Sequence, residues 1–224
     1  MFGPFAAFST FSVAVAAVGS GASSAVAIAN ASGNTTAVQH LLDLAAFPNA
    51  RCLDGTAAVF YIRPGWGSGT HVWNLFHEGG GSCHSVEDCA ARAKTRQGSS
   101  AQWEKTIDIG RCASGPYFSI DPAVNPLLYN ANHVCMIYCD GGAFSGDNYS
   151  TTATTTAAAA PSLASNSNPN SSSISSNADA NTIHLHFRGQ RIIRGIVSQL
   201  GRDTAFKEAT DVIISGCSEG GVAT

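Results

Sequence analysis

The sequence predicts an α/β fold with a mostly parallel sheet and crossover helices, and three observations predict it. Short runs of β-branched and aromatic residues recur between turn residues, at 57–63, 71–77, 134–138 and 212–214. Residues 191–200 carry a helical stripe and lie between the last two runs. The order strand, helix, strand needs a crossover, which joins parallel strands. The last run ends on Gly216-Cys217-Ser218-Glu219-Gly220, the pattern of a sharp strand-to-helix turn.

The chain has 224 residues, enough for one domain with a core. Its first thirty residues hold no Asp, Glu, Lys or Arg. An apolar run at 5–18 is followed by small-residue cleavage patterns at 25–27 and 27–29. Residues 1–29 therefore read as a signal peptide. A disordered leader rich in Ala and Ser, or an uncleaved anchor, are the other readings. Ser and Gly interrupt the run, so stable membrane insertion is not expected. Residues 30–50 read as a polar leader with one short apolar stretch at 41–47.

From residue 51 the texture is that of a folded domain. The strand at 57–63 leads into a Pro-Gly-Trp-Gly-Ser-Gly loop, and the strand at 71–77 runs into Glu78 and three glycines. Ser85 with Asp88 three positions on resembles a capping box, opening a helix to about residue 94. The strand at 134–138 closes on an Asp140-Gly141-Gly142 turn. Residues 150–181 contain nine Ser, five Thr, eight Ala and five Asn, with Asp179 the single charge. Such a stretch buries too little apolar surface to offset chain entropy, so it reads as a disordered surface insertion. In the helix at 191–200, Ile192, Ile193, Ile196, Val197 and Leu200 share a stripe, and Gly201 supplies a stop. A short helical turn is expected at 205–209.

A net charge of −3 and 12% charged residues disfavour nucleic acid or an anionic surface as partner. Seven cysteines, at 52, 83, 89, 112, 135, 139 and 217, include no C-x-x-C pair. Behind a signal peptide they favour disulfides, with one thiol left over. Asn-x-Ser/Thr triplets at Asn30, Asn34, Asn148 and Asn170 add slightly to a secreted reading.

The chemistry concentrates at two places. In Gly216-x-Ser218-x-Gly220 a serine at the tip of a strained turn projects its hydroxyl from the sheet. The turn brings the residues two before and two after it together, so both are glycine. A Gly-rich turn holding a chance serine is the plain alternative. His77-Glu78-Gly79-Gly80-Gly81 follows an early strand and resembles the oxyanion loop of lipases and esterases, whose glycine amides aim at one point. A flexible turn is the alternative there. His184 and His186 would share a face of a strand and could hold a metal in a zinc hydrolase, but packed or loop histidines are the stronger reading.

Seven segments together resemble the pectin acetylesterase and Notum family, in family order across residues 51–224. They are Cys52-Leu53-Asp54-Gly55, the stretch NLFHEGGGSC at 74–83, and TRQGSS at 95–100. Asn125-Pro126 with Tyr129-Asn130, YCDGGAFSGD at 138–147, LHFRG at 185–189 and SGCSEGG at 215–221 complete the set. The resemblance implies an extracellular α/β-hydrolase-like fold, incomplete here at its C-terminus, with a Ser-Asp-His triad and no cofactor. It implies ester hydrolysis on an acylated polysaccharide such as pectin or on an acylated secreted protein. Ser218 matches the nucleophile. The backbone amides of Gly81, Ser82 and Glu219 match the oxyanion hole.

Two positions depart from the family. Ser82 replaces a tryptophan, which alters the pocket wall. Glu219 replaces a small residue, and its carboxylate would oppose an oxyanion unless it pointed away. In these hydrolases the acid and the histidine follow the serine, whereas six residues follow Ser218. The chain is therefore read as the nucleophile-bearing portion of an esterase, inactive alone, with the apolar faces at 191–200 and 212–214 partly uncovered. A non-catalytic secreted glycan-binding or structural relative is the other reading, favoured by Ser82 and Glu219.

Overall fold

The structure, a computed structural model, describes residues 11–17, 34–113, 115–147, 149–155 and 181–224. Nine strands are found among the described residues: β1 (Phe11–Ala17), β2 (Thr36–Leu41), β3 (Val59–Arg63), β4 (Val72–His77), β5 (Thr106–Asp108), β6 (Asn132–Met136), β7 (Tyr149–Thr155), β8 (Asn181–Phe187) and β9 (Asp211–Cys217). The helices are α1 (Val86–Arg92), α2 (Gly189–Asp203) and a short α3 (Glu219–Val222). Seven strands form one sheet in the order β1-β9-β4-β6-β3-β2-β5, and β7 pairs with β8 in a separate ribbon.

The sheet is mixed, which corrects the expectation of a mostly parallel one. Only β4 with β6 and β4 with β9 are parallel, whereas β1·β9, β3·β6, β2·β3 and β2·β5 are antiparallel. The cause lies in the connections. The chain returns from β4 to β6 through α1 and from β6 to β9 through α2, and those long crossovers make the parallel centre. The flanking strands carry no such crossover helices. Among them β2 comes from the segment read as a polar leader, and β5 from a stretch with no strand signal in the sequence.

Alternation divides the central strands between two cores. Phe60, Ile62, Trp73, Leu75, Val134 and Met136 face one side, where Ile192, Ile196 and Leu200 of α2 cover them. Those three helix residues are wholly buried, whereas Ile193 and Val197 of the same stripe are half-buried. Ile213 and Ile214 of β9 are half-buried. On the other side Val59, Tyr61, Phe76, Cys135 and Ile137 meet Ile107, Ile109 and Phe118, carried by β5 and two 3₁₀ turns.

The helix starts follow local chemistry. Ser85 caps α1, its hydroxyl accepting from the Asp88 amide at 3.1 Å. The Asp88 carboxylate accepts from the His84 amide rather than that of Ser85, so the reciprocal half of the box sits one residue earlier. Three disulfides join Cys52 to Cys139, Cys83 to Cys89 and Cys112 to Cys135, and Cys217 is the free thiol.

Two sequence readings meet the structure over part of their length. Residues 11–17, inside the segment expected as a signal peptide, run antiparallel along β9, Phe11 opposite Cys217 and Ala17 opposite Asp211. The stretch 150–181 is strand at both ends, where β7 pairs with β8 from Tyr149↔Phe187 to Thr155↔Asn181. Threonine-rich ends suit a pleated surface. Residues 156–180 lie outside the described residues. No helix among the described residues is long and apolar enough to cross a membrane.

Candidate active site

The parallel strands β9, β4 and β6 end side by side, and their carboxyl ends deliver the segments 217–221, 77–83 and 137–142 to one place. Crevices of α/β sheets form at such ends. Ser218 stands between β9 and α3 with φ 55° and ψ −125°, in the left-handed half of backbone space. A non-glycine residue held there stores strain, and such strain gathers at functional turns.

The surrounding glycines are what allow the turn. A Cβ on Gly216 would lie 2.3 Å from the Gly220 carbonyl oxygen, and one on Gly220 would lie 2.1 Å from the His77 carbonyl oxygen. The sequence argument for glycine at both positions thus has a direct steric counterpart. The loop after β4 closes on the same turn. A Cβ on Gly79 would lie 2.4 Å from the Cys217 carbonyl oxygen and 2.8 Å from Ser218 Cβ.

That loop is fastened at several points. The Glu78 amide donates to the Met136 carbonyl at 3.0 Å, and the Glu78 carboxylate accepts from the Tyr138 amide at 3.1 Å. Arg92 of α1 donates to the Gly80 carbonyl at 2.8 Å. Cys83 is held to Cys89 and donates its amide to the Gly141 carbonyl. Ser82 lies between Gly81 and that anchored cysteine.

The structure brings Ser218, Glu219 and Gly81 into direct contact, with the Glu219 side chain turned inward. Its Oε2 accepts from the Gly81 amide at 2.8 Å and from the Ser218 hydroxyl at 2.5 Å. The sequence allowed this carboxylate two orientations, and the structure places it toward the amides. The Ser218 hydroxyl, above all, holds the Glu219 carboxyl below the usual carboxylate range, and the Gly81, Glu219 and Gly80 amides add to this against the effect of burial.

Beneath the turn, a buried polar network ties the three strands together. Tyr117 Oη lies 2.5 Å from Ser215 Oγ, and Ser215 Oγ donates to Asn74 Oδ1 at 3.0 Å. Asn74 Nδ2 donates to His133 Nδ1 at 2.9 Å, which leaves the protonated Nε2 to donate to the Leu128 carbonyl at 2.9 Å. This fixes a neutral ring, consistent with a pKa lowered to about 3, first by burial and then by the Arg63 charge. The network joins β4, β6 and β9, so it sets the height of the strand that carries Ser218.

Other titratable groups near the site are shifted by burial. Glu78 is pushed up to about 7 and Asp140 to about 6, each by desolvation opposed by backbone amides. His77 is lowered to about 4, also by desolvation. Its Nδ1 lies 3.4 Å from Thr224 Oγ1. Among the described residues no histidine is hydrogen-bonded to Ser218 Oγ. His184 Nδ1 lies 3.2 Å from Thr152 Oγ1 across the ribbon, and the His186 ring packs on Gly55. No three metal-ligating side chains converge among the described residues. Arg92 and Glu78 escaped the sequence reading. Glu78 lay within a recognised motif, but the Arg92 contact depends on how α1 is placed and has no local signal.

A protein-family model described as Pectinacetylesterase matches residues 30–160 and 168–224. Pectin acetylesterase 4 of Arabidopsis thaliana is 34% identical over 178 residues, covering 78% of this chain and 35% of that protein. Pectin acetylesterase 5 of the same plant is 33% identical over 175 residues, covering 78% and 33%. The palmitoleoyl-protein carboxylesterase NOTUM of Schmidtea mediterranea is 26% identical over 181 residues, covering 79% and 28%. The chain thus spans about a third of the length of the curated relatives it matches.

Proposed function

The chain belongs to the pectinacetylesterase family, and on that premise we propose that it carries the nucleophile of a serine carboxylic-ester hydrolase. The observation that supports this best is Ser218 at φ 55° on the strand-to-helix turn, with the glycine loop 79–81 packed against it. Ser218 Oγ attacks the acyl carbonyl as its proton passes to a base. The carbonyl oxygen becomes an oxyanion, and the amides of Gly81, Ser82 and Glu219 receive it. The alcohol leaves, and water then releases the acid from the acyl-serine. The base is assigned to the family's histidine, which follows the nucleophile in chain order together with its acid.

The substrate is an acyl ester outside the cell, either an acetyl group on a polysaccharide such as pectin or a longer acyl group on a protein. The relatives' names supply these two classes. The matches above 30% identity that cover most of the chain are to pectin acetylesterases, which favours the first. Three disulfides suit an oxidising compartment. Together with the signal peptide read at 1–29 they favour secretion and action at a cell wall or beyond, although residues 11–17 of that segment pair along β9.

The test is a fluorophosphonate probe applied to the full product of the reading frame. Labelling is expected, and Ser218→Ala should abolish it. Labelling that survives the substitution would move the nucleophile elsewhere. A second reading, a secreted glycan-binding relative without chemistry, draws on one observation, the Glu219 carboxylate resting on Ser218 Oγ. Glycan binding by a protein that the probe never labels would select it.

A further inference from the structure

Three backbone amides are proposed to receive the incoming oxyanion, and in this structure an oxygen is already bound to one of them, that of Gly81. It belongs to Glu219. Oε2 is 2.8 Å from the Gly81 nitrogen, at the distance expected for a carboxylate in charge-assisted hydrogen bonding. The same oxygen takes the Ser218 proton donor at 2.5 Å. An oxygen held by an amide of the glycine loop stands where the carbonyl oxygen of a bound ester, or one oxygen of the released acid, would stand, and its bond to the Ser218 hydroxyl ties up the nucleophile's proton as well.

We propose that Glu219 is a tethered occupant of the oxyanion pocket, so that an ester binds only after its carbonyl oxygen has displaced the chain's own carboxylate. The inference rests on the oxyanion role proposed for Gly81 and Glu219. It adds a residue that sets which ligands enter. The occupant is part of the turn, bonded to the residue next to the nucleophile, so its effective concentration at the pocket is that of a short tether, on the order of millimolar or above. A weak carboxylate ligand such as acetate competes poorly against it. A larger acyl substrate succeeds only when contacts elsewhere compensate, so the occupant selects for substrates with extensive binding surface over small free esters. Glu219 is thus a specificity-determining residue, and its backbone amide keeps its role when the side chain turns out.

The experiment measures acetate binding to the 224-residue chain by ligand-observed NMR, for wild type, Glu219→Ala and Glu219→Gln. Acetate needs only the amides, so this measurement is independent of triad chemistry and of whether Ser218 reacts. Glu219→Ala is expected to bind acetate at least tenfold more tightly than wild type. Glu219→Gln, isosteric but uncharged, is expected to bind several-fold more tightly, and it carries the test if the alanine variant does not fold. Equal acetate affinity in wild type and in the folded variants overturns the proposal. A parallel measurement follows the fluorophosphonate labelling rate of the full product of the reading frame, which should rise about tenfold in Glu219→Ala. Loss of labelling in a folded Glu219→Ala protein would make the carboxylate the acceptor of the Ser218 proton and would also overturn the proposal. If acetate binding separates the variants but no protein labels, the occupied pocket stands and the hydrolase reading falls.

Discussion

Replacing Gly216 by alanine tests the steric basis of the turn at Ser218. The added Cβ would lie 2.3 Å from the Gly220 oxygen, 2.4 Å from the Gly220 carbonyl carbon and 2.7 Å from the Gly221 nitrogen. All three are backbone atoms, so no side-chain rotation relieves the clash. Reaching ordinary contact requires the turn to open by about 1 Å. Overpacking of this kind costs about 1–3 kcal/mol, or roughly 2–12 °C of melting temperature for a domain of this size. A displacement of ~1 Å at a reacting group also lowers reactivity by about 100-fold. Gly201 is the matched control. It lies in α2 with nothing within 4 Å of a built Cβ, so alanine there should stabilise by roughly 0.5–1 kcal/mol through helix propensity. Thermal denaturation followed by circular dichroism reads both. A Gly216→Ala protein that melts with wild type, or a Gly201→Ala protein that loses as much, would refute the reasoning.

Two further outcomes follow. Asp140 is wholly buried and accepts from the Phe144 and Gly142 amides, and burial raises its pKa from 3.8 to about 6. Its contribution to stability is therefore full below about pH 3.8 and is lost as pH rises through about 6, a change of up to about 3 kcal/mol. In urea denaturation Asp140→Asn should gain on wild type between pH 4 and pH 7.5, and an unchanged difference would remove the linkage. The 224-residue chain by itself should turn over p-nitrophenyl acetate no faster than its Ser218→Ala variant, because Ser218 Oγ donates to Glu219 and not to a histidine; a clear excess over the variant would show that one of the seven histidines acts as base.

Much of this site was legible because its determinants are local. The serine between two glycines after an apolar strand encodes a turn by short-range sterics, and the structure bears out the close approaches that require those glycines. The stripe from Ile192 to Leu200 encodes a helix by its period, but α2 runs three residues past each end and through Gly201, which was expected to stop it. What depends on distant pairing was not legible. β2 mixes Thr, Gln and His with Ala, Val and Leu, and only its pairing with β3 and β5 makes it a strand. β5 has three residues, too few to show a period. The parallel share of the sheet was overestimated because a crossover visible in sequence says nothing about strands that join the sheet by other routes. The orientation of Glu219 was open for the same reason, since Gly81 lies far away in sequence.

The cross-links also partition the chain in time. Cys83–Cys89 and Cys112–Cys135 both fall inside the span closed by Cys52–Cys139. Residues 140–224, which include α2, β9 and the serine, lie outside the rings closed by these three bonds. During synthesis the N-terminal segment emerges first, so the ringed portion is able to oxidise and lock before the nucleophile has left the ribosome. The serine strand then docks against β4 by hydrogen bonds and packing. The order of synthesis thus allows a covalent stage that builds the amide loop to precede the stage that delivers the nucleophile to it.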